Sequence, residues 1–215
     1  ARKVEDYAWN HGYSVVICST DENEEKEKKQ INLLLDRKVD GIIVSSSLEN
    51  TESFNKLADN NFPHVLIDRT FENSKSPTVS VDNFGGAQLA ARHLISQGIT
   101  KIAIMCISPE HISTINQRMM GFVSALAEKK IEIPKDWRIQ IPYNNIEKSV
   151  KENLQKLYQK GKIPDAIFTM NNNLTTSCLK CLRKLSLKIP NDIALIGFDD
   201  LQYFEFTQPS VSAID

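Results

Sequence analysis

The chain has 215 residues, 41% hydrophobic and 25% charged, with Lys+Arg 26 against Asp+Glu 27 for a formal net charge of −1. That is enough material for one large domain or two small lobes with real cores, and the mixture gives no sign of disorder. An even charge balance offers no strongly cationic face for a phosphate backbone, and no window approaches the roughly 18 apolar residues of a membrane helix.

The opening stretch ARKVEDYAWN lacks the apolar centre of a signal peptide, so a cytoplasmic setting without membrane contact is expected. Val4 to Asn10 is expected to be the tail of a helix ended by Gly12, and YSVVICS a buried strand. In TDENEEKEKKQINLLLDRKVDG, Asp21 and Glu24 match a capping box, the acids sit at the positive end of the helix dipole, and Ile31, Leu34 and Leu35 form an inward stripe. The charge run Asp21 to Lys29 then reads as the solvated face of that helix rather than a binding patch.

The same unit repeats. Strand GIIVSSS leads to helix NTESFNKLADNN, and Pro63 precedes strand HVLID at 64–68. PTVSVDN is a further short strand, and GGAQLAARHLISQG a helix stopped at Gly98 by a left-handed cap. KIAIMCI, NQRMMGFVSALAEKK, WRIQIPY, IEKSVKENLQKLYQKG, DAIFTM, NNLTTSCLKCLRKLS and IALIGF complete the alternation. This order predicts an α/β protein of mostly parallel sheet with right-handed crossovers and helices on both faces. The strands outnumber the needs of one small domain, so two α/β lobes are expected, switching near SVDNFGG.

In open parallel sheets the ligand site lies beyond the carboxyl ends of the strands. Here those ends carry Asp68-Arg69, Asp82-Asn83, Asn171-Asn172-Asn173 and Asp199-Asp200, with Arg118 opening a helix after the strand Ile102 to Ile107. Carboxylates that accept two hydrogen bonds, a planar guanidinium fork and amides that both donate and accept are the groups that suit the adjacent hydroxyls of a neutral polyol. Spacing alone leaves the other reading open for each. Asp199 or Asp200 could cap the next turn, Asn171 to Asn173 could start a helix, and Arg118 could be an exposed helix residue.

Other chemistries fit less well. The chain carries 8 glycines and neither a G-x-G-x-x-G nor a G-x-x-x-x-G-K-[ST] cradle, and no G-x-S-x-G elbow. His11, His64, His93 and His111 are scattered, and Cys178-x-x-Cys181 lies in mid-helix without a second ligand pair, so no metal and no cofactor is expected. Cys18, Cys106, Cys178 and Cys181 have no disulfide-framework spacing and read as reduced core thiols, the first two in strand-like runs. Asp199 and Asp200 are neighbours pointing different ways, unlike the facing acids of a glycosidase, so no catalytic pair is identified.

The blocks DGIIVSSS, FPHVLIDR, SVDNFGGAQLAARHLISQGITKIAIM, QRMMGFVSAL, PDAIFTMNNN and KIPNDIALIGFDDLQYFEFTQPSVSAID together resemble the effector-binding core of the lactose/galactose-repressor (LacI/GalR) family of bacterial transcription regulators, over essentially the whole chain. The resemblance implies a periplasmic-binding-protein-like fold: two parallel-sheet α/β lobes joined by crossover segments, a small effector in the cleft, and a homodimer. On this reading 1–82 is the N-terminal lobe, 83–210 the C-terminal lobe, and 211–215 the start of a crossover back. Effectors in the family are usually sugars, sometimes purines or a phosphorylated partner protein. Arg118 matches the family arginine that hydrogen-bonds effector hydroxyls, Asn171 the polar residue at its strand end, and Asp199 the first acid of the G-F/Y-D-D block. Asp68 sits where the N-terminal lobe can place an acid, and Tyr143 where an aromatic stacks on ligand. Asn171-Asn172 departs from the Asn-Asp of many relatives, which bears on ligand identity.

The family's helix-turn-helix, the reader of operator DNA, is not in this sequence, so DNA contact is expected only through such a segment. Effector binding would act by population shift on DNA affinity of the intact protein. A sugar-binding protein for uptake shares the implied fold and is the alternative. Asp199→Ala and Arg118→Ala are expected to abolish a sugar response while leaving the unliganded melting point within a few degrees.

Overall fold

Short β-branched runs alternate with amphipathic stretches, and most become the element that their period dictates. A computed structural model describes residues 1–48, 51–108 and 112–215. Packing divides the chain into two units, Ala1–Ile67 with Phe71–Val79, and Asp68–Thr70 with Ser80–Asp215. The division thus falls a few residues before the boundary expected after residue 82. Asn50, where helix NTESFNKLADNN was expected to begin, and His111 lie outside the described residues.

The first unit holds α1 (Arg2–Asn10), α2 (Glu24–Asp36), β1 (Ile42–Val44), α3 (Glu52–Asp59), β2 (His64–Ile67) and β3 (Thr78–Val79). Its strands pair in parallel in the order β1-β2-β3. Ile31, Ile42, Val44, Phe54, Leu57 and Leu66 make its core, with Leu34 and Leu35 packed against them. Two expectations are corrected here. YSVVICS forms no strand: among the described residues no strand pairs with it, and side chains expected inside lie outside, Val16 being 70% exposed and Cys18 exposed as well. A strand needs a ladder to satisfy its backbone, and apolar composition alone does not supply one. The capping box at Asp21 is also absent. Asn23 caps α2 by accepting from Lys26 N–H at 2.8 Å, while Asp21 pairs with the Lys26 ammonium, which holds its carboxyl below the usual range.

The second unit holds α4 (Asn83–Ser96), β4 (Ile102–Ser108), α5 (Ser113–Ala127), β5 (Arg138–Pro142), α6 (Ile146–Gln159), β6 (Ala166–Thr169), α7 (Asn172–Lys184), β7 (Ala194–Phe198) and β8 (Ser212–Ile214). All pairs are parallel, in the order β5-β4-β6-β7-β8. Ser212–Ile214, expected as the start of a crossover, is a strand of this sheet, pairing with β7. β6 is buried at every residue and β4 at all but its last, as strands covered on both faces must be. Phe122 on α5 stacks on Phe168 of β6 with centroids 4.3 Å apart.

Two glycines allow close approaches between elements of this unit. A Cβ on Gly121 would lie 2.1 Å from the Phe84 carbonyl oxygen, so α5 can touch the first turn of α4 only because that atom is missing. A Cβ on Gly86 would lie 2.9 Å from the Phe198 ring, so the bare backbone of α4 makes room for that ring at the end of β7. Cys106, Cys178 and Cys181 are buried free thiols, as expected, and burial pushes the Cys178 and Cys181 thiols up.

Candidate functional site

The tips of β6 and β7, the start of α4 and the inner face of α5 meet at one guanidinium. Arg118 lies on the stripe Ile115, Arg118, Phe122, Ala125, a helical spacing that faces the core, and it is 6% exposed. It does not open its helix, which begins at Ser113. A cation so placed must find partners or be expelled. Its Nε donates to Asn83 Oδ1 at 2.8 Å, its Nη1 donates to the Met170 carbonyl and to Asp199 Oδ2 at 3.1 Å, and its Nη2 donates to Asp199 Oδ1 at 3.3 Å. With one bond from Nε, two from Nη1 and one from Nη2, four of the five N–H groups are in use. The flat face of the guanidinium lies over the Phe198 ring, Cζ 3.8 Å from the centroid.

Asp199 differs in exposure from its partner. Its side chain keeps 41% of its surface against 7% for Arg118. It follows β7 with φ 68°, in the left-handed region of backbone conformation. The bidentate pairing uses one lone pair on each oxygen and leaves the outer ones open as acceptors. Asp199 also borders a cavity of about 600 Å³ whose wall includes Asp82, Gly86, Arg92, Phe198 and Asp200.

The other expected residues stand as follows. Asn171 is the N-cap of α7, its Oδ1 accepting from Leu174 N–H at 2.9 Å, and the residue before it supplies the Met170 carbonyl to Arg118. Its capping role is therefore realised through Oδ1, and its Nδ2 is the end of the amide that can donate. Asp200 Oδ1 accepts from Leu201 N–H, so of the paired acids one is taken by the turn and the other by the arginine. Asp68, exposed with φ 68°, follows β2, and Tyr143 is half exposed after β5. Neither is a hydrogen-bond partner of Arg118. The partner that sequence reasoning misses is Asn83, 1% exposed, although Asp82-Asn83 is among the polar strand ends. Among the described residues no group of three or more His, Cys, Asp or Glu could hold a metal ion, and no helix is long and apolar enough to cross a membrane.

Two α/β units with parallel sheets, and polar side chains gathered at strand tips, where open parallel sheets place their ligand sites, define the class of fold. The family model described as periplasmic binding proteins and sugar binding domain of LacI family matches residues 3–215, and the chain belongs to this family. Among curated relatives it is similar to the HTH-type transcriptional repressor PurR of Vibrio parahaemolyticus, 29% identical over 214 residues, covering 98% of this chain and 63% of that protein. It is also similar to the ribose operon repressor of Halalkalibacterium halodurans, 29% identical over 218 residues, covering 100% and 62%. The chain thus spans under two thirds of the length of these relatives. Among solved structures, a LacI family transcriptional regulator from Enterococcus faecium with bound ribose superposes with TM-score 0.82 at 25% identity, covering 99% of this chain and 76% of that one. Transcription regulator CcpA of Lactococcus lactis shares the fold with TM-score 0.83 at 24% identity, covering 99% and 76%.

Proposed function

We propose that the chain is the effector-binding part of a bacterial transcriptional regulator and that its effector is a neutral, hydroxyl-rich small molecule, a sugar in the first instance. The observation that carries this is the Arg118–Asp199 pair: a buried cation neutralised by a half-exposed carboxylate at the tips of parallel strands. Such a pair has little net charge to offer a phosphate, while the open lone pairs of Asp199 accept hydrogen bonds from hydroxyls. A ligand lacking one of those hydroxyls would leave a desolvated acceptor unpaired, which makes recognition selective. Arg118 has one N–H left, so Asp199 carries more of the contact than the arginine does. Asn171, Asp68 and Tyr143 are the further contacts of this reading, and binding rather than catalysis is its output.

The ribose operon repressor among the relatives and the ribose in the Enterococcus faecium structure support this choice. In the intact regulator, located in the cytoplasm and acting as a homodimer, effector binding shifts the population between states that differ in operator affinity. Operator contact then belongs to a helix-turn-helix outside this sequence. The test is a thermal-shift panel of neutral sugars including D-ribose, sugar phosphates and purine bases, followed by titration of each hit. A saturable response confined to neutral sugars is expected. A response to sugar phosphates alone would overturn the reading, and one to purine bases alone would reassign the effector class.

A further inference from the structure

Arg118 and Asp199 form the pair, but a guanidinium can rotate about its Cδ–Nε bond, and which edge it shows depends on what holds Nε. That atom is held by Asn83, at the start of α4 and on a different element from every other partner of Arg118. Asn83 is 1% exposed, and its amide can sit only one way round: Nδ2 donates to the Val81 carbonyl at 3.3 Å, which leaves Oδ1 to accept from Arg118 Nε at 2.8 Å. Its own N–H donates to the same Val81 carbonyl at 2.9 Å, so backbone and side chain are tied to one point. With Nε fixed and the face resting on Phe198, the guanidinium plane is set, and both Nη groups then meet Asp199.

We propose that Asn83 is the positioning residue of this site: it sets the plane of the Arg118 guanidinium and, through it, the carboxylate that receives the ligand. This rests on the function proposed above in taking Asp199 as the ligand acceptor. The residue type matters as much as its place. An aspartate would offer Nε the same acceptor, but one guanidinium would then face two carboxylates and the cluster would carry a net negative charge. The asparagine holds the arginine without adding charge, which suits the site to neutral hydroxyls.

The test is proton–nitrogen NMR of the Arg118 Nε–H in the intact chain, assigned by its loss in Arg118→Lys, with D-ribose titrations alongside. The expected wild-type signal is sharp, displaced from those of exposed arginines and slow to exchange with water. In Asn83→Ala it should move to the exposed group, and in Asn83→Asp, which keeps an acceptor for Nε but loses the donor to the Val81 carbonyl, it should shift back toward the wild-type position, a change that packing alone would not give. Affinity for D-ribose should fall roughly tenfold in Asn83→Ala, the scale of a lost hydrogen bond to a charged group. A displaced, slowly exchanging signal that survives in Asn83→Ala would overturn the proposal. So would a wild-type signal that exchanges as fast as those of exposed arginines, and this holds even if Asn83→Ala folds poorly. Absence of D-ribose binding in the wild type counts against the effector reading, while the Nε signal still decides the role of Asn83.

Discussion

Replacing Arg118 with methionine keeps an unbranched stem over Phe198 and removes every donor of the guanidinium. The Met170 carbonyl and Asn83 Oδ1 then lose their partner inside the protein, each at a cost of about 1–3 kcal/mol. The stacking on Phe198 goes too, at about 0.5–2 kcal/mol. Asp199, with 41% of its side chain exposed, can turn to water, and removing a buried cation returns part of its desolvation cost. The balance is a loss of about 2–4 kcal/mol. This exceeds the few degrees expected for Arg118→Ala, because Arg118 is buried among core residues and is not a ligand contact alone. Urea unfolding followed by tryptophan emission suits the measurement. Trp9 is 75% exposed, so the change reports Trp137 in the second unit, whose Nε1–H donates to the Lys162 carbonyl at 3.2 Å. With a slope of about 2 kcal/mol per molar urea, the midpoint should fall by roughly 1–2 M. A midpoint unchanged within about 0.3 M would refute the view that Arg118 holds the strand tips together.

Three further outcomes can be checked on the same material. Gly121→Ala places a methyl 2.1 Å from the Phe84 carbonyl oxygen, so α4 and α5 must separate, and thermal unfolding by circular dichroism should register a loss of about 1–3 kcal/mol or more. Glu27, buried on α2, accepts from Ser46 Oγ and, at 2.7 Å, from Ser47 N–H and Ser47 Oγ; Glu27→Ala should loosen the segment after β1 and speed its limited proteolysis, at about 1–3 kcal/mol. Thiol labelling of the native chain should give one fast cysteine, Cys18, with Cys106, Cys178 and Cys181 reacting only on unfolding. Burial raises the Cys178 thiol, so the folded form keeps its proton where the unfolded form loses it; the corresponding stability is present at neutral pH and falls as pH rises past the ordinary thiol range.

The alternation of strand and helix was legible because period, caps and glycines agree over long stretches such as GGAQLAARHLISQG, where Gly98 takes φ 75° as a helix stop requires. YSVVICS misled because local composition gives strand propensity but says nothing of whether a ladder partner is present. Asp199 was legible as an acid ending an apolar run. Its pairing was not, because Arg118 and Asp199 are 81 residues apart in sequence. One signal could have found it: Arg118 shares a helical face with Ile115, Phe122 and Ala125, and a cation in phase with core residues must be paired. Asn83 carried no such mark, since an asparagine after Asp82 reads equally as part of a helix start, and Asp82 does cap α4 by accepting from Gly85 N–H at 2.8 Å.

Asp68 and Asp199 offer a way to separate backbone geometry from chemistry. Both end a parallel strand with φ 68°, a region where side chains are strained and glycine is not. If the turn alone were required, glycine would serve at either position, with relief of strain roughly offset by unfolded-chain entropy. Asp68→Gly, at an exposed residue, should therefore keep stability within about 1 kcal/mol of wild type. Asp199→Gly has the same backbone relief but leaves Arg118, 7% exposed at its side chain, without its carboxylate, and should cost about 3 kcal/mol in the second unit. Unfolding monitored at Trp137 compares Asp199→Gly with wild type, and the amide signals of β1 and β2 follow Asp68→Gly. Equal and small effects at both positions would mean that the acid at the end of β7 serves only the turn, and that the guanidinium is held by Asn83 and the Met170 carbonyl without it.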